Sequence, residues 1–129
     1  MIQLIDPKSI AAPYRNRYSH AFVIPPGARL LITSGTVGVL PNGEVPADFA
    51  GQAEAVMSNL TELLKDADMD WNDVVKFTGY LKPQCDLAVF AEVRHRYFGP
   101  IKPAMTLAWV SGLVDARWLI EVEIIAAKQ

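Results

Sequence analysis

Apolar side chains recur in steps of three and four between residues 48 and 67, at Phe49, Ala53, Val56, Leu60, Leu64 and Ala67. That period lines one side of an α-helix. Glu54, Ser58, Thr61, Glu62 and Lys65 fall on the other side. Asp48 is suited to accept hydrogen bonds from the free N–H groups of the first turn, and Pro46 disfavours an earlier start. Asp66, Asp68 and Asp70 crowd the far end, where negative charge opposes the helix dipole. The helix is therefore expected to stop near Asp66. The β-branched and aromatic run Val74–Leu81 follows and predicts a strand. A long one-sided helix feeding a strand implies a sheet for it to cover.

The remaining pattern supplies that sheet. Residues 1–17 read as an extended arm with room for one short strand. His20–Ile24 and Leu30–Ser34 are short apolar runs joined by Pro25-Pro26-Gly27, a pattern that predicts a hairpin. Gly35 and Gly38 allow bends, and Pro41-Asn42-Gly43 is a turn. Pro83 ends the strand at Leu81. Asp86 caps a second helix, with Leu87, Phe90, Val93, Tyr97 and Phe98 at helical spacing and Gly99-Pro100 as its stop. Ala104–Val110 and Trp118–Ala126 predict two more strands, joined by the loop Ser111–Arg117. The expected architecture is a single α+β domain over 1–129, with both helices on one face of a mostly antiparallel sheet. The other face needs cover, and copies of the same chain in a closed ring or dimer would supply it.

Composition sharpens this picture. The chain has 129 residues, 51% of them hydrophobic, and a mean hydropathy of +0.18. So apolar a small domain points to buried contacts between subunits. The net charge of −2 offers nucleic acid no bulk attraction. A lone Cys85 cannot form an internal disulfide, which suits a reducing compartment. The first residues lack the pattern of a signal peptide, and no apolar run approaches the ~20 residues of a membrane span. A soluble, cytoplasmic protein is expected.

No phosphate loop, dinucleotide fingerprint, nucleophile elbow or metal-spaced His/Cys cluster occurs, and no cofactor or metal is expected. His20 is either a base at a pocket rim or, on the stronger reading, a strand-edge imidazole bonded to backbone. Arg94-His95-Arg96 falls on the polar face of the second helix, with His95 in solvent. Cys85 beside a helix cap reads as a small filler. Glu121 and Glu123 alternate with Ile120, Val122 and Ile124, so strand period puts both on one face. They are either on a solvent face or paired with an arginine, or else they are carboxylates at an intersubunit cleft, able to orient water.

Six stretches together carry a resemblance: RYSHA at 17–21, LITSG at 31–35, PNGEVPADFAGQAEAVMSNL at 41–60, NDVVKFTGYL at 72–81, PAMTLAWVSGL at 103–113 and LIEVEIIA at 119–126. In this order and spacing the chain resembles the RidA/YjgF family, also described as L-PSP endoribonucleases. The resemblance implies a chorismate-mutase-like subunit with a six-stranded sheet. Three such subunits would form a barrel-shaped homotrimer with small-ligand clefts between neighbours.

The resemblance also implies a hydrolase or deaminase of reactive enamines and imines. Tyr18 and Glu121 match the family's catalytic tyrosine and glutamate. Ser34 and Gly35 match its Ser-Gly pair, and Leu107 and Trp109 are placed with the cleft, as are His20 and Arg17. The family arginine that holds a substrate carboxylate is replaced by Met105, its second-helix asparagine by Ala91, and a frequent cysteine by Leu107. Methionine offers no charge-assisted hydrogen bond, so efficient hydrolysis of 2-imino acids is not expected. Arg17 is the nearest replacement in sequence, although an exposed arm residue is the simpler reading. The alternative function is a non-catalytic trimer that binds a small metabolite. Ribonuclease activity, implied only by the family label, is disfavoured by the charge and by the lack of a basic stripe.

Overall fold

A computed structural model describes residues 1–129. The amphipathic stretch forms helix α1, Phe49–Asp66. Its apolar stripe is fully buried at Ala53, Val56, Met57, Leu60 and Leu64. The Asp48 backbone carbonyl accepts from the Gln52 N–H at 3.1 Å. Its side chain, however, makes no cap bond, contrary to the expectation. The carboxylate lies over Gly51 instead, with Oδ1 2.6 Å from where a Cβ would sit.

Near the N-terminus, β1 (Gln3–Ile5) pairs antiparallel with β2 (Ala21–Val23) as a separate two-stranded sheet. This corrects the expected hairpin: β2 does not pair with the next strand, β3 (Arg29–Ile32). Pro25 and Pro26 have no N–H to start a ladder, and the Gly27 φ of 84° turns the chain away. The arm therefore supplies the partner for β2.

The main sheet has five strands rather than six. It contains β3, β4 (Thr36–Val37), β5 (Val74–Leu81), β6 (Ala104–Trp109) and β7 (Ile120–Lys128). The order is β3-β7-β5-β6, with β4 also paired to β7. The central strand β7 runs antiparallel to β3, β4 and β5. Strand β6 runs parallel to β5, because helix α2 (Leu87–Phe98) carries the chain back between them. The Asp86 side chain caps α2 by accepting from Ala88 N at 2.8 Å, and Gly99 stops it at a φ of 57°.

Period two along β7 decides which face is core. Ile120, Val122, Ile124 and Ala126 are buried under the helices with Phe77, Phe90 and Phe98. Glu121, Glu123 and Ile125 point the other way. On the strand beside them, Leu30 and Ile32 remain exposed. Neither helix is long and apolar enough to cross a membrane.

One buried polar residue holds the layers together. The Gln52 amide donates to the carbonyls of Pro46 (2.8 Å) and Arg117 (2.9 Å) and accepts from Leu119 N (2.8 Å). This ties the start of α1 to the loop that enters β7.

Candidate functional site

Tyr18 reaches the sheet through a short backbone bridge. Ser19 pairs in parallel with Ala104, its N–H donating to the Pro103 carbonyl at 3.3 Å. Just before it, a single 3-10 turn covers Tyr14–Asn16. The arm is thereby pinned along the free edge of β6, opposite α2. On β6, Met105 and Leu107 face the helices and pack against the core. Leu107 needs Gly79 beneath it, since a Cβ there would stand 2.8 Å from Leu107 Cδ2.

Arm, helix and strand enclose a cavity of about 510 Å³, walled by Tyr18, Arg17, Ala91, Arg94, Met105 and Leu107 among others. A second space of about 550 Å³ adjoins it, shares Arg17, Ala91, Arg94 and Met105, and opens toward Glu92, His95 and Lys102. Volumes in this range suit a small metabolite.

Arg94 is the residue that sequence reasoning missed. Its triplet was expected on the polar face of α2, yet Arg94 is buried, with 8% of its surface exposed. It follows Leu87, Phe90 and Ala91 at helical spacing, so the signal was present. The charge of the Arg94-His95-Arg96 triplet masks that spacing. The guanidinium lies 4.6 Å above the Phe90 ring, and Nη1 meets Met105 Sδ at 3.5 Å. No carboxylate pairs with it, whereas Arg96 pairs with Glu54 at 2.8 Å and Arg117 with Asp115 at 2.9 Å. Burial, and then the charge of nearby Arg17, push the Arg94 pKa down to about 10. It remains a cation at neutral pH.

The expected catalytic pair does not meet within one chain. Tyr18 is on the helix side of the β6 edge, while Glu121 is on the opposite face of β7. The Glu121 carboxylate rests directly over Gly35, which has no side chain to displace it. Ser34 is exposed beside Gly35, in the link between β3 and β4. The neighbouring Tyr80 hydroxyl donates to Glu123 Oε1 at 3.3 Å, and the adjacent Glu123 charge raises the Tyr80 pKa.

Two other expected site residues line neither cavity, although the His20 ring stands edge-on to Tyr18 with centroids 6.1 Å apart. The His20 ring Nε2 is 2.7 Å from the Ala11 carbonyl; a carbonyl only accepts, so that nitrogen carries the proton and secures the arm. Trp109 is half exposed at the outer end of β6, outside both cavities. Cys85 is buried, with Sγ 3.4 Å from the Leu119 carbonyl, and burial raises its pKa. No group of three His, Cys, Asp or Glu side chains is arranged to hold a metal ion.

Most of the chain matches known proteins. Residues 9–128 match the family model described as Endoribonuclease L-PSP. A RutC family protein of Pyrococcus abyssi is 38% identical over 114 residues, 87% of each chain. The 2-iminobutanoate/2-iminopropanoate deaminase of Escherichia coli is 33% identical over 105 residues, covering 78% of this chain and 80% of that enzyme. A crystal structure of a Rid-family protein of unknown function from Yersinia pestis superposes with a TM-score of 0.83 at 28% identity, covering 97% of each chain. With the α+β fold, the motif order and these relatives in agreement, the chain belongs to the RidA/YjgF family, the family described as Endoribonuclease L-PSP.

Proposed function

We propose that the protein hydrolyses a small imine or enamine, releasing ammonia, in clefts formed where three copies of the chain join sheet to sheet. The observation that carries this reading is Glu121. Its carboxylate receives no hydrogen bond within the chain and is held over Gly35 on the uncovered sheet face. A neighbour's β6 edge could bring the Tyr18 cavity to it. The exposed apolar residues Leu30 and Ile32 on the same face support such a junction, as does the likeness to an imine deaminase.

In this scheme Glu121 orients a water and accepts its proton as the oxygen adds to the C=N carbon. The Tyr18 hydroxyl donates its proton to the imine nitrogen as the water oxygen adds, giving a carbinolamine. The proton held by Glu121 then passes to the amino group, the C–N bond breaks, the carbinol hydroxyl returns its proton to Tyr18 as the carbonyl forms, and one water is consumed for each ammonia released.

Ammonia release from a panel of imines and enamines tests the proposal. Glu121→Ala should slow the reaction by at least about 100-fold, a common size for loss of a positioned acid–base group. Wild type and variant being equally inert across the panel would sink it. The second reading, a binding trimer without catalysis, is favoured by Met105 and Leu107, which give the cavity an apolar wall. It predicts ligands that stabilise the protein but are never turned over.

A further inference from the structure

Three arginines line the 510 Å³ cavity, Arg15, Arg17 and Arg94, and no carboxylate lines it. The adjoining space adds Lys102 and His95 against the single acid Glu92. This concentration of cation occurs in a chain whose net charge is −2. Elsewhere the exposed Arg96 and Arg117 are paired with acids. Arg94, the most buried arginine, has no counter-ion.

A guanidinium carries five N–H donors. In Arg94 one of them meets a thioether sulfur, a weak acceptor, and no protein oxygen accepts from the others. A buried charge without a partner is unfavourable, and a bound anion would remove that cost. The planar fork fits a carboxylate through two parallel hydrogen bonds. The Phe90 ring beneath the guanidinium and the Met105 sulfur beside it hold the fork in place. The rest of the wall is apolar at Leu87, Ala88 and Leu107, which suits a short carbon chain.

We infer that Arg94, with Arg17 beside it, is the anchor for a small carboxylate-bearing ligand, reaching from α2 over Met105 to the place where that strand residue offers no charge. The inference deepens the proposed function, since it takes the same cavity as the substrate site. It assigns Arg94 to holding the substrate carboxylate, and Tyr18 and Glu121 to the C=N end. The exposed Arg17 and Arg15, on the short arm turn, close over the same anion.

Calorimetric titration of the full chain with 2-oxobutanoate and its uncharged amide, 2-oxobutanamide, tests this. The acid should bind at least about tenfold more tightly than the amide, as expected for hydrogen bonds to a charged group. Arg94→Gln should weaken the acid by at least about 10-fold and leave the amide unchanged, and Arg17→Gln should cost less, about 2- to 5-fold. In the wild type, the Arg94 Nε–H resonance should move on adding the acid, a readout that needs no variant to fold.

Equal binding of acid and amide, no binding of the acid, or unchanged binding by Arg94→Gln would overturn the inference. Inorganic phosphate competing as well as the acid would overturn the assignment to a carboxylate. Loss of the oligomer in Arg94→Gln with ligand affinity unchanged would show that the arginine pairs with a neighbouring copy instead. Carboxylate binding without turnover defeats the deaminase proposal and leaves the anchor standing. Turnover indifferent to Arg94→Gln does the reverse.

Discussion

The fold buries one long polar side chain at the start of α1 and another in the second half of α2, and treats them oppositely. Gln52 is 1% exposed and Arg94 is 8% exposed. Each atom of the Gln52 amide group meets backbone between 2.8 and 2.9 Å, and those bonds join α1 to the loops at Pro46 and at Arg117–Leu119. Arg94 meets an aromatic face, a sulfur and an open cavity. A satisfied buried amide holds a fold in one register. A buried cation with no counter-ion weakens the fold, and its donors remain available to something that is not protein. Burial therefore does not distinguish structural from functional polar residues, but hydrogen-bond satisfaction does.

Substitutions can break or sharpen that contrast. The largest effect is expected for Gln52→Leu, which strands the Pro46 and Arg117 carbonyls and the Leu119 N–H. At about 1 kcal/mol or more for each unsatisfied group, stability should fall by about 3 kcal/mol in urea unfolding. A loss of only a few tenths would show the network to be dispensable. Arg94→Met should move the other way, raising stability by about 1 kcal/mol, because it replaces an unpaired buried charge with a matching apolar chain. A clear destabilisation would mean that the guanidinium has a structural partner and would erase the contrast.

The smallest effect lies one turn further along α2 and needs alkaline pH to appear. Tyr97 donates to Glu54, which also pairs with Arg96 at 2.8 Å. Burial, then this bond, push the Tyr97 pKa up from 10.0 to about 12. Between those values the folded chain keeps a proton that the unfolded chain releases. Stability should therefore decline as pH rises through that window, and Tyr97→Phe should flatten the decline in thermal melts at pH 9 to 11.5. An unchanged slope in the variant would assign the decline to other groups.

Local regularities made much of this architecture legible in the chain itself. The helical period of Phe49–Asp66, the β-branched run Val74–Leu81, the Asp86 cap and the Gly99 stop are set by neighbours a few residues apart, and the folded chain agrees with them. The alternation of Glu121 and Glu123 with Ile120, Val122 and Ile124 likewise follows from strand period alone.

Tertiary structure decided what depends on distant partners. The choice of β1 rather than β3 as the mate of β2 rests on a ladder that two prolines prevent from forming locally. The separation of Tyr18 and Glu121 onto opposite faces follows from where the arm meets β6 and from the strand order. The burial of Arg94 depends on Phe90 of α2 and Met105 of β6 flanking its guanidinium. Periodicity reports which residues share a side of an element. Only packing reports whether that side meets water, protein or a cavity.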